Sequence, residues 1–365
     1  MELLVILIAI VMIGGVVVVP ALRRRRAGQE AAHGAGRAED LSAYGFLPRE
    51  RLDVRLPGPD ARLADALAEI RRTQEWEPAA RLLALTDASS ELRWQRVQTL
   101  AGSAAHDLAQ APGQGGMWLR SWRVQAPKDP GGAAVQAQFL VMQALRDPSS
   151  QDFRMIMEEA RTVAAEAALL APGDPVPHIV ELIVARGLAY READFEALWA
   201  KVNKLAPHHM GAHLAALPYW SEKWHGSQDR AESFARAAAA SAPPGSLLPA
   251  LPLFAVFDHL PEVHTVRTLF RSAVITDAIE GARYAVHHAP ADHPMVPHVR
   301  HLLAWFLVQA ERYGEAVEQL RRVDGHVGAV PWSFSPDPAA AYVAYRAIAV
   351  AGFERGGGTP AQLPH

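Results

Sequence analysis

The chain contains no cysteine in 365 residues. It therefore forms no disulfide, has no thiolate nucleophile and offers no sulfur ligand to zinc. Lysine is scarce, although Lys and Arg together number 36, and alanine is abundant. This preference for arginine and alanine is typical of a GC-rich bacterial genome and indicates no particular chemistry.

A large net charge is also lacking, because the formal charge at pH 7 is only −3. No overall field attracts nucleic acid, and the pairs Arg71-Arg72 and Arg321-Arg322 do not extend into a basic stripe. The sequence has no phosphate-binding loop, dinucleotide fingerprint or serine-hydrolase elbow. It therefore predicts no catalytic residue, no cofactor and no nucleic-acid partner.

The longest hydrophobic run lies at the N-terminus, where residues 3–19 carry no charge. A helix of this run rises about 25 Å, and residues 20–22 extend it to a short bilayer span. Arginines follow at 23–26, and Glu2 precedes the run. This order of charges predicts a single-pass cell-membrane anchor through residues 3–22, with the bulk of the chain in the cytoplasm. A cleaved signal peptide, the alternative, carries its positive charge before the run and a small-residue cleavage site after it.

Composition and periodicity divide the chain into six segments. We expect an anchor at 1–22, a basic flexible linker at 23–58, an N-terminal helical region at 59–150, helical-pair repeats at 151–325, a capping helix at 326–353 and a disordered tail at 354–365. The composition leaves open how much of the linker is ordered. After residue 60, apolar residues recur at helical spacing and no segment alternates as a strand does, so we predict an all-α fold.

Small or apolar residues recur at fixed offsets in the middle of the chain, and four of the five copies are followed by a proline. The copies are Ala160, Ala164, Ala167; Phe195, Trp199, Val202; Ala231, Ala235, Ala238; Ala278, Ala282, Ala285; and Ala316, Leu320, Val323. This pattern resembles the second helix of the tetratricopeptide repeat. The resemblance covers roughly residues 150–325 and implies antiparallel helix pairs stacked into a solenoid. Because alanine favours any helix, an irregular helical bundle is the alternative.

A second resemblance lies in the stretch YWSEKWHGSQDRAESFARAAAASAPPG, residues 219–245. It is similar to uncharacterised bacterial helical proteins that have a Trp-x-Gly-Ser turn before an alanine-rich helix. We expect Gly226 to adopt left-handed dihedral angles, Ser227 to cap the next helix and Asp229 to favour its dipole. This family implies no activity.

Histidines cluster at two predicted joints between helices, which we call the first and second histidine joints. The first spans residues 207–213, and the second spans residues 287–301. Prolines in both joints restrict the backbone to turns. The pattern favours helix-end and surface histidines over ligands, since no H-E-x-x-H motif is present. A local metal site formed by His293, His298 and His301 is the alternative.

The tetratricopeptide resemblance implies that the first helix of each pair lines a concave groove. The predicted groove-facing residues are His213, Trp220, Lys223, Arg267, His298, His301 and Trp305. Aromatic, cationic and imidazole groups together suit an extended peptide or an acidic chain terminus. The alternative is that Trp220 and Trp305 lie in the core between helices.

These patterns predict a membrane-tethered helical-repeat scaffold that binds a protein or peptide partner and performs no catalysis. One alternative is a helical-domain enzyme or ligand-binding protein with a small histidine metal site. Another is a structural membrane protein that associates with itself. The sequence determines neither the identity of the partner nor the oligomeric state.

Overall fold

The computed structural model describes residues 41–88, 90–260 and 269–363. The fold is all-α, as predicted, and the described ranges contain no β-strand, only a single parallel bridge between Asp53 and His326. No helix within these ranges is long and apolar enough to span a bilayer. The predicted anchor at 1–22 lies outside the described residues.

The described ranges contain 15 α-helices, numbered here in chain order. They are α1 Ala61–Thr73, α2 Glu77–Ala84, α3 Glu91–Gln110, α4 Met117–Gln125, α5 Pro130–Arg146, α6 Phe153–Leu170, α7 Val176–Gly187, α8 Glu192–Leu205, α9 Met210–Ala216, α10 Gln228–Ala240, α11 Leu251–Asp258, α12 Ala273–His288, α13 Val296–Gln309, α14 Tyr313–Val323 and α15 Pro338–Arg355. The chain forms two compact units, and their boundary falls inside α10.

The first unit contains residues 60–234 and includes α1 to α9. Helix starts follow from capping residues, such as Asp60, whose side chain accepts from the Leu63 N–H at 3.0 Å. The other Asp60 carboxylate oxygen accepts from Arg96 Nε at 2.8 Å, so one residue caps α1 and ties it to α3. A second buried ion pair, Arg93 to Asp174 at 2.5 Å, joins α3 to the turn before α7.

The recurring small residues are almost all buried on helices of the structure. The five copies lie on α6, α8, α10, α12 and α14. Every member is buried except Trp199, which is partly exposed. Each of these helices ends shortly before the proline, or before Gly325 in the last copy. Burial of one small-residue face is what close helix packing requires.

The second unit contains α11 to α15, the end of α10 and residues 41–59, which we call the strap. The sequence groups most of the strap with the linker, but the strap is bound to the C-terminal helices. The N–H of Leu47 donates to Asp324 at 2.6 Å, and Arg346 donates to the Leu47 carbonyl at 2.9 Å. Four apolar side chains of the strap are buried: Tyr44, Phe46, Leu52 and Leu56.

The end of the chain after α15 also makes internal contacts. The N–H of Gly358 donates to the Phe353 carbonyl at 3.0 Å, and Thr359 begins a short 3₁₀ turn at Pro360–Gln362. Leu363 is buried. The predicted disordered tail therefore contributes an apolar side chain to the second unit.

The Trp-x-Gly-Ser turn before α10 differs in one respect from its prediction. Gly226 does not have a positive φ; instead, a Cβ added there would lie 1.9 Å from the Trp220 carbonyl oxygen. Glycine is therefore required by close backbone approach and not by left-handed dihedral angles. The predicted cap is present, because Ser227 Oγ accepts from the Arg230 N–H at 3.2 Å.

Candidate functional site

Most of the predicted groove-facing side chains are not on the surface. Five of the seven are buried, namely His213, Trp220, His298, His301 and Trp305. Lys223 is exposed, and Arg267 lies outside the described residues. The buried side chains do not form an exposed strip here, because each is used in packing or hydrogen bonding within its own unit.

The first histidine joint forms the start of α9. His209 Nδ1 accepts from the Ala212 N–H at 3.0 Å, and His213 Nδ1 donates to the His209 carbonyl at 3.0 Å. Burial lowers the pKa of each imidazole to about 4. Although the Glu91 carboxylate lies 3.1 Å from His209 Nδ1, that nitrogen already accepts a hydrogen bond, so His209 is neutral here.

Aromatic rings contact His213 and Trp220, two of the residues predicted to face the groove in the first unit. The His213 ring meets Trp199 edge-on with centroids 4.8 Å apart. Trp220 meets Phe195 edge-on at 5.5 Å, and the Arg230 guanidinium lies 4.6 Å from the Trp220 ring centroid. These contacts place Trp220 in the core, which is the alternative that the sequence left open.

In the second histidine joint, His301 connects three parts of the second unit. Its Nε2–H donates to the Pro57 carbonyl of the strap at 3.1 Å, and its Nδ1 accepts from Trp332 Nε1 at 2.9 Å. The two bonds fix one neutral tautomer. Burial, as the largest cause, lowers the pKa of His301 to about 3. The residue therefore holds the strap against α13 and the turn before α15.

His298 lies one helical turn before His301 and is equally buried. Neither ring nitrogen has a hydrogen-bond partner within the described part of the chain. Burial lowers the pKa of His298 to about 4, so the side chain is a neutral group surrounded by protein. It behaves as a packing residue with an unsatisfied polar edge.

Trp305 is the last of the predicted groove residues and lies on α13. Its Nε1 donates to the Tyr345 hydroxyl at 3.0 Å, and Gln309 Nε2 donates to the same oxygen at 3.1 Å. Its ring meets Phe257 edge-on at 5.5 Å. Trp305 is thus a core residue of the second unit, with a polar edge satisfied by tyrosine.

The alternative metal site at the second joint is not supported. His301 uses both ring nitrogens in hydrogen bonds, and His293 Nδ1 accepts from the Met295 N–H at 3.2 Å. Across the described ranges, no three His, Cys, Asp or Glu side chains are grouped closely enough to bind a metal ion. The ring nitrogens of His293 and His301 are used in separate hydrogen bonds, so these imidazoles do not point towards a common metal position.

Apolar side chains are instead exposed on α6, a surface that the sequence analysis did not identify. Met155 and Leu169 are 63% and 82% exposed, and Thr162 between them is exposed as well. These three residues recur every seven positions, so they lie along one face of the helix, with the exposed Ala165 beside them. The buried alanines Ala160, Ala164 and Ala167 lie on the opposite face. We call this surface the α6 stripe.

The α6 stripe has a charged border. Arg161 pairs with Glu158 at 2.5 Å, and Arg154 approaches the same carboxylate at 3.7 Å. Near the other end, Glu166 accepts two bonds of 2.8 Å from Arg123 on α4. Two exposed apolar side chains, separated by Thr162 and flanked by ion pairs, give this face a mixed composition that also occurs on helix-binding surfaces.

A signal for the α6 stripe was present in the sequence. Met155, Thr162 and Leu169 are spaced by seven residues in the sequence. The same helix also carries the periodic alanines that face the core, and the sequence does not distinguish the two faces. No protein-family model, curated protein or solved structure matches the chain. Its function is therefore inferred from its own geometry.

Proposed function

We propose that this protein is a membrane-tethered helical-repeat scaffold that binds a protein or peptide partner and performs no chemistry of its own. The supporting observation is the α6 stripe, where Leu169 is 82% exposed and Met155 is 63% exposed. Large apolar side chains aligned on one helix face favour association with an apolar partner surface. The proposed partner segment is an amphipathic helix that packs along the stripe.

The repeat architecture is part of this proposal. Five helices carry small or apolar residues at shared offsets, and most of these residues are buried. Stacked helix pairs of a tetratricopeptide-like, bacterial scaffold would leave one face of each pair for partners. The anchor would keep the scaffold at the bilayer, which raises its effective concentration for partners there.

Site-specific photo-crosslinking tests the binding proposal. A photoreactive amino acid is placed at position 155 or 169 of the full chain in its host membranes, and at the exposed position of Lys204 as a control. We expect one discrete protein adduct from positions 155 and 169 that is missing from position 204. Adducts of the same pattern from all three positions, or from none, would contradict the proposal.

A matched substitution then tests the chemistry of the stripe. Leu169→Arg removes the apolar end of the stripe and should abolish the adduct formed from position 155. Because Leu169 is exposed, the free energy of unfolding should change by no more than about 0.5 kcal/mol. Lys204→Leu is the control and should leave the adduct unchanged.

A further inference from the structure

Every charged side chain of α4 and of the loop before it is positive. Residues 108–128 contain no Asp or Glu, and their charged side chains are Arg120, Arg123 and Lys128. Arg123 is paired with Glu166. Arg120 and Lys128 are exposed and form no ion pair within the described part of the chain. Two cations are therefore available to an anionic surface.

Buried aromatic residues fix the direction in which α4 faces. Trp118, Leu119 and Trp122 are buried on its inner side. Trp76 stacks on Trp122 with centroids 5.8 Å apart and donates to Gln125 at 3.1 Å. The helix is held on one side, so its other side is presented to the surroundings.

The presented side combines the two cations with apolar groups. Val124 is 80% exposed and Met117 is 42% exposed. They lie seven residues apart, with Arg120 between them on the same helix face. Lys128 follows α4 directly and is exposed. Exposed apolar side chains next to cations, on a helix that itself contains no acidic residue, have the composition of a helix that lies at a membrane interface.

We propose that this face of α4, formed by Met117, Arg120, Val124 and Lys128, rests on an anionic lipid surface. The inference depends on the proposed membrane tether. Arginines after the apolar run place the domain on the side of the bilayer whose leaflet carries anionic lipids. Charge complementarity therefore favours lipid over an apolar protein surface as the occupant of this face.

The length of the tether agrees with this position. Only residues 23–40 separate the predicted anchor from the first described residue. Even fully extended, such a segment spans about 60 Å. A tether of this reach limits the distance between the bilayer and the second unit, to which it is joined. On contact with an anionic surface, each cation of the α4 face contributes about a fivefold preference.

The absence of cysteine allows a direct test with the full chain. Val124→Cys gives a single labelling position for an environment-sensitive dye, and Lys204→Cys gives a control position on α8. The labelled protein is reconstituted into vesicles of phosphatidylcholine with or without phosphatidylserine, which also contain a nitroxide-labelled lipid. We expect quenching at position 124 that requires phosphatidylserine, and only background quenching at position 204.

A matched pair of charge reversals separates local contact from net charge. Arg120→Glu with Lys128→Glu should reduce quenching at position 124 to background. Lys201→Glu with Lys204→Glu changes the net charge equally on exposed residues of α8 and should leave the quenching unchanged. In 1 M salt, where the Debye length is about 3 Å, quenching should fall strongly in the parent protein.

Flotation of the vesicles after alkaline extraction reports separately on the anchor. Protein that floats but shows no phosphatidylserine-dependent quenching at position 124 would refute the α4 contact and leave the tether intact. Protein that fails to float would refute the tether and the α4 contact with it. Quenching that disappears equally with both charge reversals, or protection of position 124 by an added protein instead of lipid, would also overturn the inference.

Discussion

Each of the two units has a histidine joint in which histidines follow a proline and enter the next helix. In the first joint the hydrogen bonds of the two buried imidazoles are local. His213 donates to the carbonyl of His209, four residues earlier, and His209 accepts from Ala212. Its backbone also uses a distant partner, because the Glu91 carboxylate of α3 accepts from the N–H groups of Met210 and Gly211.

The second joint uses partners from elsewhere in the chain. His301 donates to Pro57, which is 244 residues away in sequence, and accepts from Trp332, which is 31 residues away. Similar sequence patterns therefore give one joint whose imidazoles bond within their own helical turn and one whose imidazole holds the strap. In both joints the histidines that enter the next helix are buried, namely His209, His213, His298 and His301, whereas His208, His287 and His288 are exposed.

Removal of the strap should have the largest effect and should separate the two joints. A chain beginning at residue 60 loses the buried side chains of Tyr44, Phe46, Leu52 and Leu56 and the acceptor of His301. At about 1.5–3 kcal/mol for each of these four side chains, the second unit should lose stability on the order of 6–12 kcal/mol. Hydrogen exchange should show loss of protection in α12 to α15 and retention in α1 to α9.

The matched control is a chain that begins at residue 41, which keeps the strap. Equal protection of α12 to α15 in the two proteins would mean that the strap is not part of the second unit's fold. Since both proteins lack the anchor, membrane attachment does not enter the comparison.

Acidification should destabilise both joints. Unfolded histidines take up a proton below their ordinary pKa of about 6.5, whereas burial holds the pKa of His213 and His298 at about 4 and that of His301 at about 3. The stability that depends on neutral imidazoles is present above pH 6.5 and is lost as pH falls towards 4. Relative to pH 7.5, we expect each of these histidines to lower the free energy of unfolding by roughly 2 kcal/mol at pH 5. Urea unfolding at pH 7.5, 6.5 and 5.5 measures this slope, and a flat profile would contradict it.

His301→Ala should destabilise the second unit by about 3–5 kcal/mol at pH 7.5. The change leaves a cavity, and it leaves Trp332 Nε1 and the Pro57 carbonyl without their partner. His287→Ala, at an exposed position of the same joint, is the control and should change the unfolding free energy by no more than about 0.5 kcal/mol. Similar values for the two variants would show that His301 does not connect strap and helix.

His298→Leu should have the smallest effect at neutral pH. Because neither ring nitrogen has a partner within the described residues, an apolar side chain of similar size removes an unsatisfied polar group. We expect an unfolding free energy within about 1 kcal/mol of the parent at pH 7.5 and a shallower loss at pH 5. A loss of several kcal/mol at pH 7.5 would mean that His298 makes a hydrogen bond essential to the fold.

Much of the fold could be predicted from local patterns. The all-α class followed from helical spacing, and the recurring positions such as Ala160 and Ala282 are buried as the pattern indicated. The predicted capping helix at 326–353 is observed as Pro338–Arg355, so its end is close to the prediction and its start lies later. The cap at Ser227 was also predicted, because capping depends on residues within one turn.

The candidate site was less predictable. Resemblance to a repeat indicated which helix face His301 and Trp305 would occupy, but not whether another part of the chain covers that face. The Pro57 carbonyl and the Tyr345 hydroxyl satisfy these residues from distant positions. The exposed stripe on α6 was missed for the same reason, since which of its two faces is covered depends on neighbouring helices.

The sequence by itself determined the helical class, the helix ends, the absence of sulfur chemistry and the all-basic charge of residues 108–128, because composition and spacing within a few residues are sufficient for each. Only the tertiary structure decided that His209, His213, His298 and His301 are buried, that the strap belongs to the second unit and that Met155, Leu169 and Val124 face outward. These outcomes depend on contacts between residues far apart in the chain. Their free energy comes from desolvation and packing that no local pattern records.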